Sequence, residues 1–387
     1  HRPEEAGVPG SSPGPSTNML QKIFLRGQAY ERHFSAFAMV AGFIADNIFF
    51  GRIDLWQTQV AFISYATICF ISIPLLCWFE TRSSRVRTSD GAEQSFMAWR
   101  LILPIVTQFA LGGFWSGFVI FYGRSANLGA SWPFLLFLLL VFLGSEYFYR
   151  YHSRLVFTSV LFFFALYSYA IFAVPIYTGN IGTLTFLMSG VIAALVFALF
   201  TMLLRVSARE RFFIDVWRIR AGAFCVLVVI NVFYFTNVLP PLPLSAEAVG
   251  IYHSVGRIPG AYLATDEVGQ SFAVRYLGFA PTLHVIAGET ASAYSSVFAP
   301  TILKTTIVHR WQWYDPIQKE WILKATIVYP IAGGRDGGYR GYSTVLVNKE
   351  GEWRVNIETE DGRLIARVPF TIDIQTTSPI LSTITLK

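Results

Sequence analysis

Long apolar segments separated by short polar stretches fill the first 240 residues, whereas the rest of the chain alternates on a much shorter period. A helix needs roughly 20 largely apolar residues to cross about 30 Å of hydrocarbon. Seven segments approach or meet this length, and they predict about seven transmembrane helices. The segments are Phe34–Phe50, Gln57–Phe79, Trp99–Tyr122, Trp132–Tyr149, Leu155–Tyr177, Gly182–Leu204 and Ala221–Leu239.

The lysines and arginines between these segments predict their orientation, because cytoplasmic loops are enriched in both residues. Alternate loops hold thirteen of them on one side and only Arg52 and Arg124 on the other. We therefore expect a cytoplasmic N-terminus and an outside C-terminus, which requires an odd number of spans. The thirteen are Lys22, Arg26, Arg32, Arg82, Arg85, Arg87, Arg150, Arg154, Arg205, Arg209, Arg211, Arg218 and Arg220.

A proline-rich exit near Pro240 ends the last apolar segment, and short β-type runs separated by turn residues follow it. Seven strands at this spacing predict an all-β sandwich of immunoglobulin-like type. The predicted strands are Phe272–Tyr276, Ser292–Phe298, Ile302–Tyr314, Trp321–Val328, Tyr339–Asn348, Glu352–Thr359 and Leu364–Asp373.

These patterns divide the chain into four parts. Residues 1–20 are rich in Pro, Gly and Ser and are expected to form a disordered cytoplasmic tail. Residues 21–239 form the predicted transmembrane domain, with the helices packed as an α-helical membrane bundle. Residues 240–270 are assigned to a proline-rich linker and entry segment, and residues 271–387 to an extracytoplasmic β-sandwich.

The composition agrees with a membrane protein. Hydrophobic residues make up 53% of the chain and charged residues only 14%, whereas soluble domains carry about a quarter charged residues. Membrane topology explains the net charge of +6 better than nucleic-acid binding does. The three cysteines lie inside apolar segments, and the six histidines are scattered, so we expect neither a metal site nor a cofactor.

Two polar positions inside predicted spans are candidate functional sites, because ionisable groups at membrane depth are costly. Asp46, with Asn47 beside it, could bind a proton, a cation or a partner's arginine. It could equally lie at the outer interface, since its span ends at Phe50. Glu146 in the fourth span stands four residues before Arg150, a spacing that favours a simple ion pair.

Two further features of the spans favour helix packing. Gly113 and Gly117 form a small-xxx-small pattern, which allows close approach of helices within the bundle or in a dimer. Asn231, in the seventh predicted span, could hydrogen-bond to another helix.

Alternation along one predicted strand puts a histidine and two tryptophans on the same face. An exposed row of this kind could stack on sugars or on a partner protein, and burial in the sandwich core is the alternative. The histidine could also form a small polar site with residues of a later strand, or simply pin the strands together. The residues are His309, Trp311, Trp313, Arg340 and Ser343.

A series of short motifs in the last 85 residues or so resembles a bacterial module known as domain of unknown function 2914. Proteins with this module often carry it at the C-terminus, after several membrane helices. The resemblance implies an inner-membrane protein of the Gram-negative envelope that carries a periplasmic domain. It implies no activity. The motifs are His309-Arg310-Trp311, Arg340-Gly341-Tyr342-Ser343, Gly351-Glu352-Trp353-Arg354-Val355, Asp361-Gly362-Arg363-Leu364 and Val368-Pro369-Phe370.

Three functional hypotheses follow from the sequence. The first is a non-enzymatic envelope protein whose periplasmic β-sandwich binds a partner protein or an envelope polymer. The second is an accessory subunit that uses its helical bundle as an interface in a larger membrane complex. The third is a transporter or lipid-processing enzyme that uses Asp46. The expected partners are membrane lipids and a protein of the inner membrane or periplasm, and no nucleic acid.

Overall fold

The chain divides into two units, His1–Phe49 and Phe50–Lys387, and every helix and strand named below lies in the second. The structure is a computed structural model. It describes Ile44, Asp46 and Phe50 together with residues 54–83, 90–125, 128–147, 155–241, 243–268, 280–300, 303–332 and 338–386.

Within the described residues of the second unit, five helices precede the β-structure. Four of them contain apolar stretches long enough to cross a membrane, namely Trp56–Phe79, Ile102–Ser125, Leu155–Thr178 and Thr183–Ala208. The helices are α1 (Trp56–Ser83), α2 (Asp90–Ser125), α3 (Leu128–Tyr147), α4 (Leu155–Thr178) and α5 (Thr183–Phe235).

The prediction of seven separate spans is not supported by the described residues. The first predicted span lies largely outside them. The fourth falls on α3, whose apolar stretch Ser131–Gly144 is shorter than a span. The sixth and seventh both fall within α5, which is helical throughout and has no irregular loop at 205–220.

The two ends of α5 nevertheless meet. A straight helix of its 53 residues would be about 80 Å long. Instead the Tyr234 ring stacks on Phe186 with centroids 3.6 Å apart, and the Tyr234 hydroxyl lies 3.4 Å from Thr183 Oγ1. The helical segment therefore folds back on itself. Tyr167 of α4 lies beside both halves. Its hydroxyl accepts a hydrogen bond of 3.2 Å from Asn231 of the second half, and its ring forms a tilted contact with Phe186 of the first, with centroids 6.0 Å apart.

The helix α4 is the centre of the bundle. About 78% of its apolar stretch is buried, against 33–50% for the other three candidate spans. Phenylalanines of the surrounding helices contact it from several sides, as in the pairs Phe62–Phe172, Phe163–Phe197 and Phe162–Phe200. Such edge-to-face and tilted ring pairs contribute packing energy beyond their buried area.

Eleven strands follow in the described residues. Six of the seven predicted strands coincide with β5–β10 to within a few residues, and the seventh, Phe272–Tyr276, lies outside the described residues. The strands are β1 (Ser245–Tyr252), β2 (Ser254–Ile258), β3 (Ala261–Glu267), β4 (Thr282–Ile286), β5 (Thr290–Phe298), β6 (Lys304–Asp315), β7 (Glu320–Ala332), β8 (Tyr339–Leu346), β9 (Gly351–Thr359), β10 (Leu364–Gln375) and β11 (Leu381–Leu386).

The strands form a β-sandwich with an additional small sheet. A sheet of order β1-β5-β8 packs on a five-stranded sheet of order β4-β10-β9-β6-β7. All pairings are antiparallel except β4 with β10. The third sheet has the order β11-β3-β2 and packs against Tyr294 through Val255, Tyr262 and Ala264. Strands β1–β3 thus lie in the segment 240–270 that the sequence analysis assigns to a linker.

Large aromatic side chains fill the space between the two main sheets. Trp311 and Trp353 are fully buried, and the Phe370 ring packs edge-on against Trp311 with centroids 6.0 Å apart. A second apolar cluster around Ile307 extends towards the bundle, and Ile181 from the α4–α5 connection packs against it. The helical bundle therefore contributes a side chain to the sandwich core.

The tip of the β9–β10 hairpin contacts both ends of α5. The Arg363 guanidinium lies 3.3 Å from the Tyr234 ring centroid and donates a hydrogen bond of 3.1 Å to the Tyr234 carbonyl, in the last turn of the helix. At the other end, Asp361 lies about 4 Å from the Cβ position of Gly182, just before Thr183. Helix ends carry opposite partial charges, and each side chain has the sign that its helix end favours.

Replacing Arg363 with methionine should loosen the sandwich from the bundle. The change removes a charged hydrogen bond and a cation–π contact, and we expect a loss of about 2–4 kcal/mol. Thermal unfolding of the full chain in detergent and the rate of limited proteolysis would measure it. Glu360→Gln changes an exposed charge in the same turn and should be neutral, so equal behaviour of the two variants would contradict this prediction.

The outer sheet face as a candidate binding site

The predicted row on β6 faces the interior of the sandwich. His309 and Trp311 have no exposed surface, and Trp313 and Ser343 are also buried. Of the two alternatives that the sequence left open, core burial is therefore the correct one for these residues, and they do not form an exposed row. Arg340 lies on β8, at the partly exposed side of the β1-β5-β8 sheet. Its carbonyl accepts a hydrogen bond from the Tyr262 hydroxyl.

His309 is the centre of a polar network that joins the two main sheets. Its Nδ1 lies 2.8 Å from Ser343 Oγ, and its Nε2 lies 2.9 Å from Ser295 Oγ and 3.1 Å from the Tyr329 hydroxyl. The Trp311 indole N–H also donates to Ser343, at 3.0 Å. Both serines belong to the β1-β5-β8 sheet, so the hydrogen bonds of the imidazole join this sheet to the five-stranded sheet.

Burial controls the ionisation of this network. It lowers the pKa of His309 to about 4, because a charged imidazole would lose its hydration there. Burial likewise raises the pKa of Tyr329 above its ordinary value. A neutral imidazole offers one donor and one acceptor, which the surrounding hydroxyls can match. The Ser295–His309 contact has the geometry of a nucleophile and base, but neither side chain is accessible to a substrate.

The residues between the predicted ones form a polar surface that is partly exposed, with Asn356 and Glu358 buried within it. Alternation along β6, β9 and β10 sends a set of arginines and amides to the outer side of the five-stranded sheet, within the region that carries the family resemblance. We call this set the arginine face. It consists of Arg310, Gln312, Arg354, Asn356, Glu358 and Arg367.

Cross-strand pairing fixes the arginine face as two rows. Asn356 stands opposite both Arg310 on β6 and Arg367 on β10, and Gln312 stands opposite Arg354. The Arg354 Nε donates to Gln312 Oε1 at 2.7 Å, and the Arg367 Nε donates to Asn356 Oδ1 at 2.7 Å. Neutral amide oxygens thus orient two guanidinium groups.

The third arginine of the face is neutralised. The Arg310 Nε forms an ion pair of 2.9 Å with Glu358 Oε2, and Asn356 Nδ2 donates to the other oxygen of the same carboxylate at 3.0 Å. Arg354 instead stacks over the Trp321 ring, with its guanidinium carbon 4.0 Å from the centroid. Burial and the neighbouring Arg367 both lower the pKa of Arg354 from its ordinary value, and the charge of Glu358 opposes them.

Sequence reasoning missed this surface although it had the information to find it. The alternation that groups His309 with Trp311 and Trp313 also groups Arg310 with Gln312 on the opposite side. A polar face beside an aromatic face indicates that the aromatic one is internal, because charged side chains are seldom buried.

The glycines predicted to pack helices lie at close contacts between α1 and α2. A Cβ at Gly113 would overlap the Tyr65 ring, and a Cβ at Gly117 would overlap the Phe62 ring. Asn231 donates to the Tyr167 hydroxyl across helices, as described above, and to the Leu227 carbonyl at 2.8 Å.

The remaining predicted positions are described only in part. Asp46 is helical and half-buried, while Asn47 and the side chain of Glu146 lie outside the described residues. Among the described residues, no group of three or more His, Cys, Asp and Glu side chains could hold a metal ion.

A second polar cluster joins the third sheet to the five-stranded sheet. Glu267 lies between two imidazoles, 3.0 Å from His253 Nε2 and 2.8 Å from His284 Nδ1. Its carboxylate also accepts the His284 backbone N–H at 2.7 Å. Burial alone would raise the pKa of Glu267, but these hydrogen bonds outweigh it and hold the pKa below its ordinary value.

Acidification should destabilise the sandwich through His309. Its folded pKa of about 4 lies below the ordinary 6.5, so the unfolded chain binds an extra proton between these values. Stability should therefore fall as the pH drops from 6.5 to 4, by about 3 kcal/mol in total. Denaturant unfolding of the wild type and His309→Gln at several pH values would measure this; parallel curves for the two would refute it.

The chain is similar to several solved structures, each at low sequence identity. The fold is similar to an immunoglobulin-like protein from Pseudomonas aeruginosa (13% identity, 34% of this chain and 96% of that chain covered, TM-score 0.21). It is also similar to a β-glucosidase from Listeria innocua in complex with gluconolactone (12% identity, 31% and 17% covered, TM-score 0.19). A third similar structure is the Pseudomonas fluorescens alkylpurine DNA glycosylase AlkC bound to DNA containing an abasic site analogue (8% identity, 74% and 84% covered, TM-score 0.22).

No curated protein matches the chain. One family model does, and the match covers residues 304–372, from the start of β6 into β10. This region includes every residue of the arginine face. The predicted resemblance is thereby confirmed: residues 304–372 match the model of the family described as protein of unknown function (DUF2914).

Proposed function

We propose that the chain is a non-enzymatic membrane protein of the bacterial envelope whose β-sandwich binds a partner protein or an envelope polymer through the arginine face. The observation that carries this proposal is the pair Arg354 and Arg367. Neutral amides orient both guanidinium groups, and among the described residues neither has a carboxylate within ion-pair distance. Arginine and tryptophan are the residues most enriched at binding hot spots, and Arg354 stacks on Trp321.

The packing of the two domains supports a role in presentation. The sandwich rests on the ends of α5 through Arg363 and Asp361, while the arginine face lies on the outer side of the five-stranded sheet. A bound partner would therefore be held at a defined orientation to the helices, since α5 and the β9–β10 hairpin are in direct contact.

We also propose that the chain crosses the inner membrane seven times, with the sandwich in the periplasm. The fold-back of α5 supports this orientation. Both ends of α5 lie at the sandwich, so its basic middle, 205–220, lies at the far end of the bundle. Enrichment in arginine is typical of the cytoplasmic side. The outward-facing apolar side chains of α5, such as Leu195 and Leu199, suit contact with lipid.

A photo-cross-linking residue at Thr326 should capture the partner in intact cells. Thr326 is exposed on β7 directly opposite Arg310. We expect a specific adduct that decreases at least tenfold when Arg354 and Arg367 are both replaced by glutamine, as expected for the loss of two hot-spot arginines.

The matched control places the same cross-linker at Leu346, which is 54% exposed on β8 of the smaller sheet. Adducts of equal yield at both positions, or an adduct at Thr326 that does not depend on the two arginines, would contradict the proposal. If an adduct formed only from positions on the helices and did not depend on the arginines, it would favour the hypothesis of an accessory subunit that uses its helical bundle as an interface.

A further inference from the structure

The chemistry of the arginine face identifies the kind of group that it binds. Arg367 pairs with Asn356, and Arg354 lies two residues further along β9, so the two arginines are diagonal neighbours on one side of the sheet. Diagonal neighbours lie within reach of each other when their side chains are long. Two positive charges are therefore held close together on a partly exposed surface.

The hydrogen bonds leave the ends of both side chains available. Arg354 and Arg367 are each anchored through Nε, by Gln312 and Asn356 respectively. Within the described part of the chain, their terminal amino groups donate no hydrogen bond to a protein atom. These groups form the fork that matches two oxygens of a carboxylate or phosphate.

Several contacts hold this arrangement before any ligand binds. The Trp321 ring supports the plane of the Arg354 guanidinium at 4.0 Å. Glu358, the carboxylate of the face, is engaged by Arg310 and Asn356. Its charge acts on Arg354, but within the described part of the chain it forms an ion pair with neither Arg354 nor Arg367. A rigid pair of like charges is unfavourable in isolation, and an anion between them relieves the repulsion.

We propose that Arg354 and Arg367 together bind one phosphate dianion, either free or carried on a larger molecule. Two adjacent guanidinium groups match the charge of a phosphate monoester, which carries about −1.5 to −2 at neutral pH. A lone carboxylate carries one charge and two oxygens, and it would occupy only half of the site. This inference rests on the proposed function only in that both place binding at the arginine face.

Equilibrium dialysis of the full-length protein in neutral detergent, against radiolabelled inorganic phosphate, tests the proposal. We expect saturable binding to one site, weakened at least tenfold by Arg354→Gln and by Arg367→Gln. Arg354→Lys keeps the charge but loses the Nε bond to Gln312, so its affinity should lie between those of the wild type and Arg354→Gln. Arg257→Gln, which removes an exposed arginine of β2, should bind as the wild type does.

Competition distinguishes the source of the phosphate. Glucose 6-phosphate that competes better than inorganic phosphate would indicate a sugar-borne group, and equal competition a free ion; glucose itself should not compete. Absence of saturable binding, or equal binding by Arg354→Gln, Arg367→Gln and the wild type, overturns the inference. Thermal unfolding would confirm that the variants are folded, and the exposed Arg367 gives a second variant if Arg354→Gln does not fold.

The two proposals fail separately. Loss of the arginine-dependent adduct at Thr326 with phosphate binding intact would overturn the proposed partner function alone. An arginine-dependent adduct without phosphate binding would overturn the phosphate site alone.

Discussion

The contact between the β9–β10 hairpin and the two ends of α5 is the constraint on which the arrangement of the whole second unit depends. Because α5 folds back on itself, its first and last turns lie side by side, with opposite partial charges. Asp361 and Arg363, two residues apart, face the two ends with complementary charges. Gly362 between them has φ = 79°, which a glycine adopts without strain. A turn of this kind is what allows both side chains to reach a helix end.

The interior of the sandwich shows how a polar network can replace apolar packing in a core. His309 joins residues of three other strands, and its burial favours the neutral imidazole. Removing one of these partners would leave a buried polar group without a hydrogen bond, and folding would then carry the full desolvation free energy of that group. The network therefore specifies the register of β6 within its sheet, because a shift of one residue would move His309 to the opposite face.

The sequence predicted strands β5–β10 well because their apolar residues alternate clearly and turn residues separate them. Of the described strands, it missed β1–β4 and β11. Two of these, β1 and β3, pair with the distant strands β5 and β11, and such pairing leaves no local signal in the sequence. The number of spans was hard to predict for a different reason. Apolar segments indicate length, whereas whether a polar stretch such as 205–220 forms a loop or stays helical depends on its helix propensity and on packing.

The sequence located the strands of the candidate site, but the residues that it singled out lie mainly on the inner face of those strands. The motifs from His309 to Arg354 located the correct strands, but period-two alternation does not say which face is internal. That choice depends on what covers each face, here a second sheet that presents Ser295 and Ser343 to His309. The pair Arg354 and Arg367 could not be found from the sequence, since its formation depends on the cross-strand register between β9 and β10.

The hairpin β9–β10 also gives the molecule a short mechanical path. Arg367 is four residues from Arg363 along one strand, a distance of about 13 Å, and Arg363 lies directly on Tyr234 of α5. Force applied to a ligand at Arg367 would have a direct covalent path along β10 to Arg363, whereas Arg354 would also pass its share to β6 and β7 through Gln312 and Trp321. Because Arg363 and Asp361 contact the two ends of α5, a force on the arginine face would displace these helix ends.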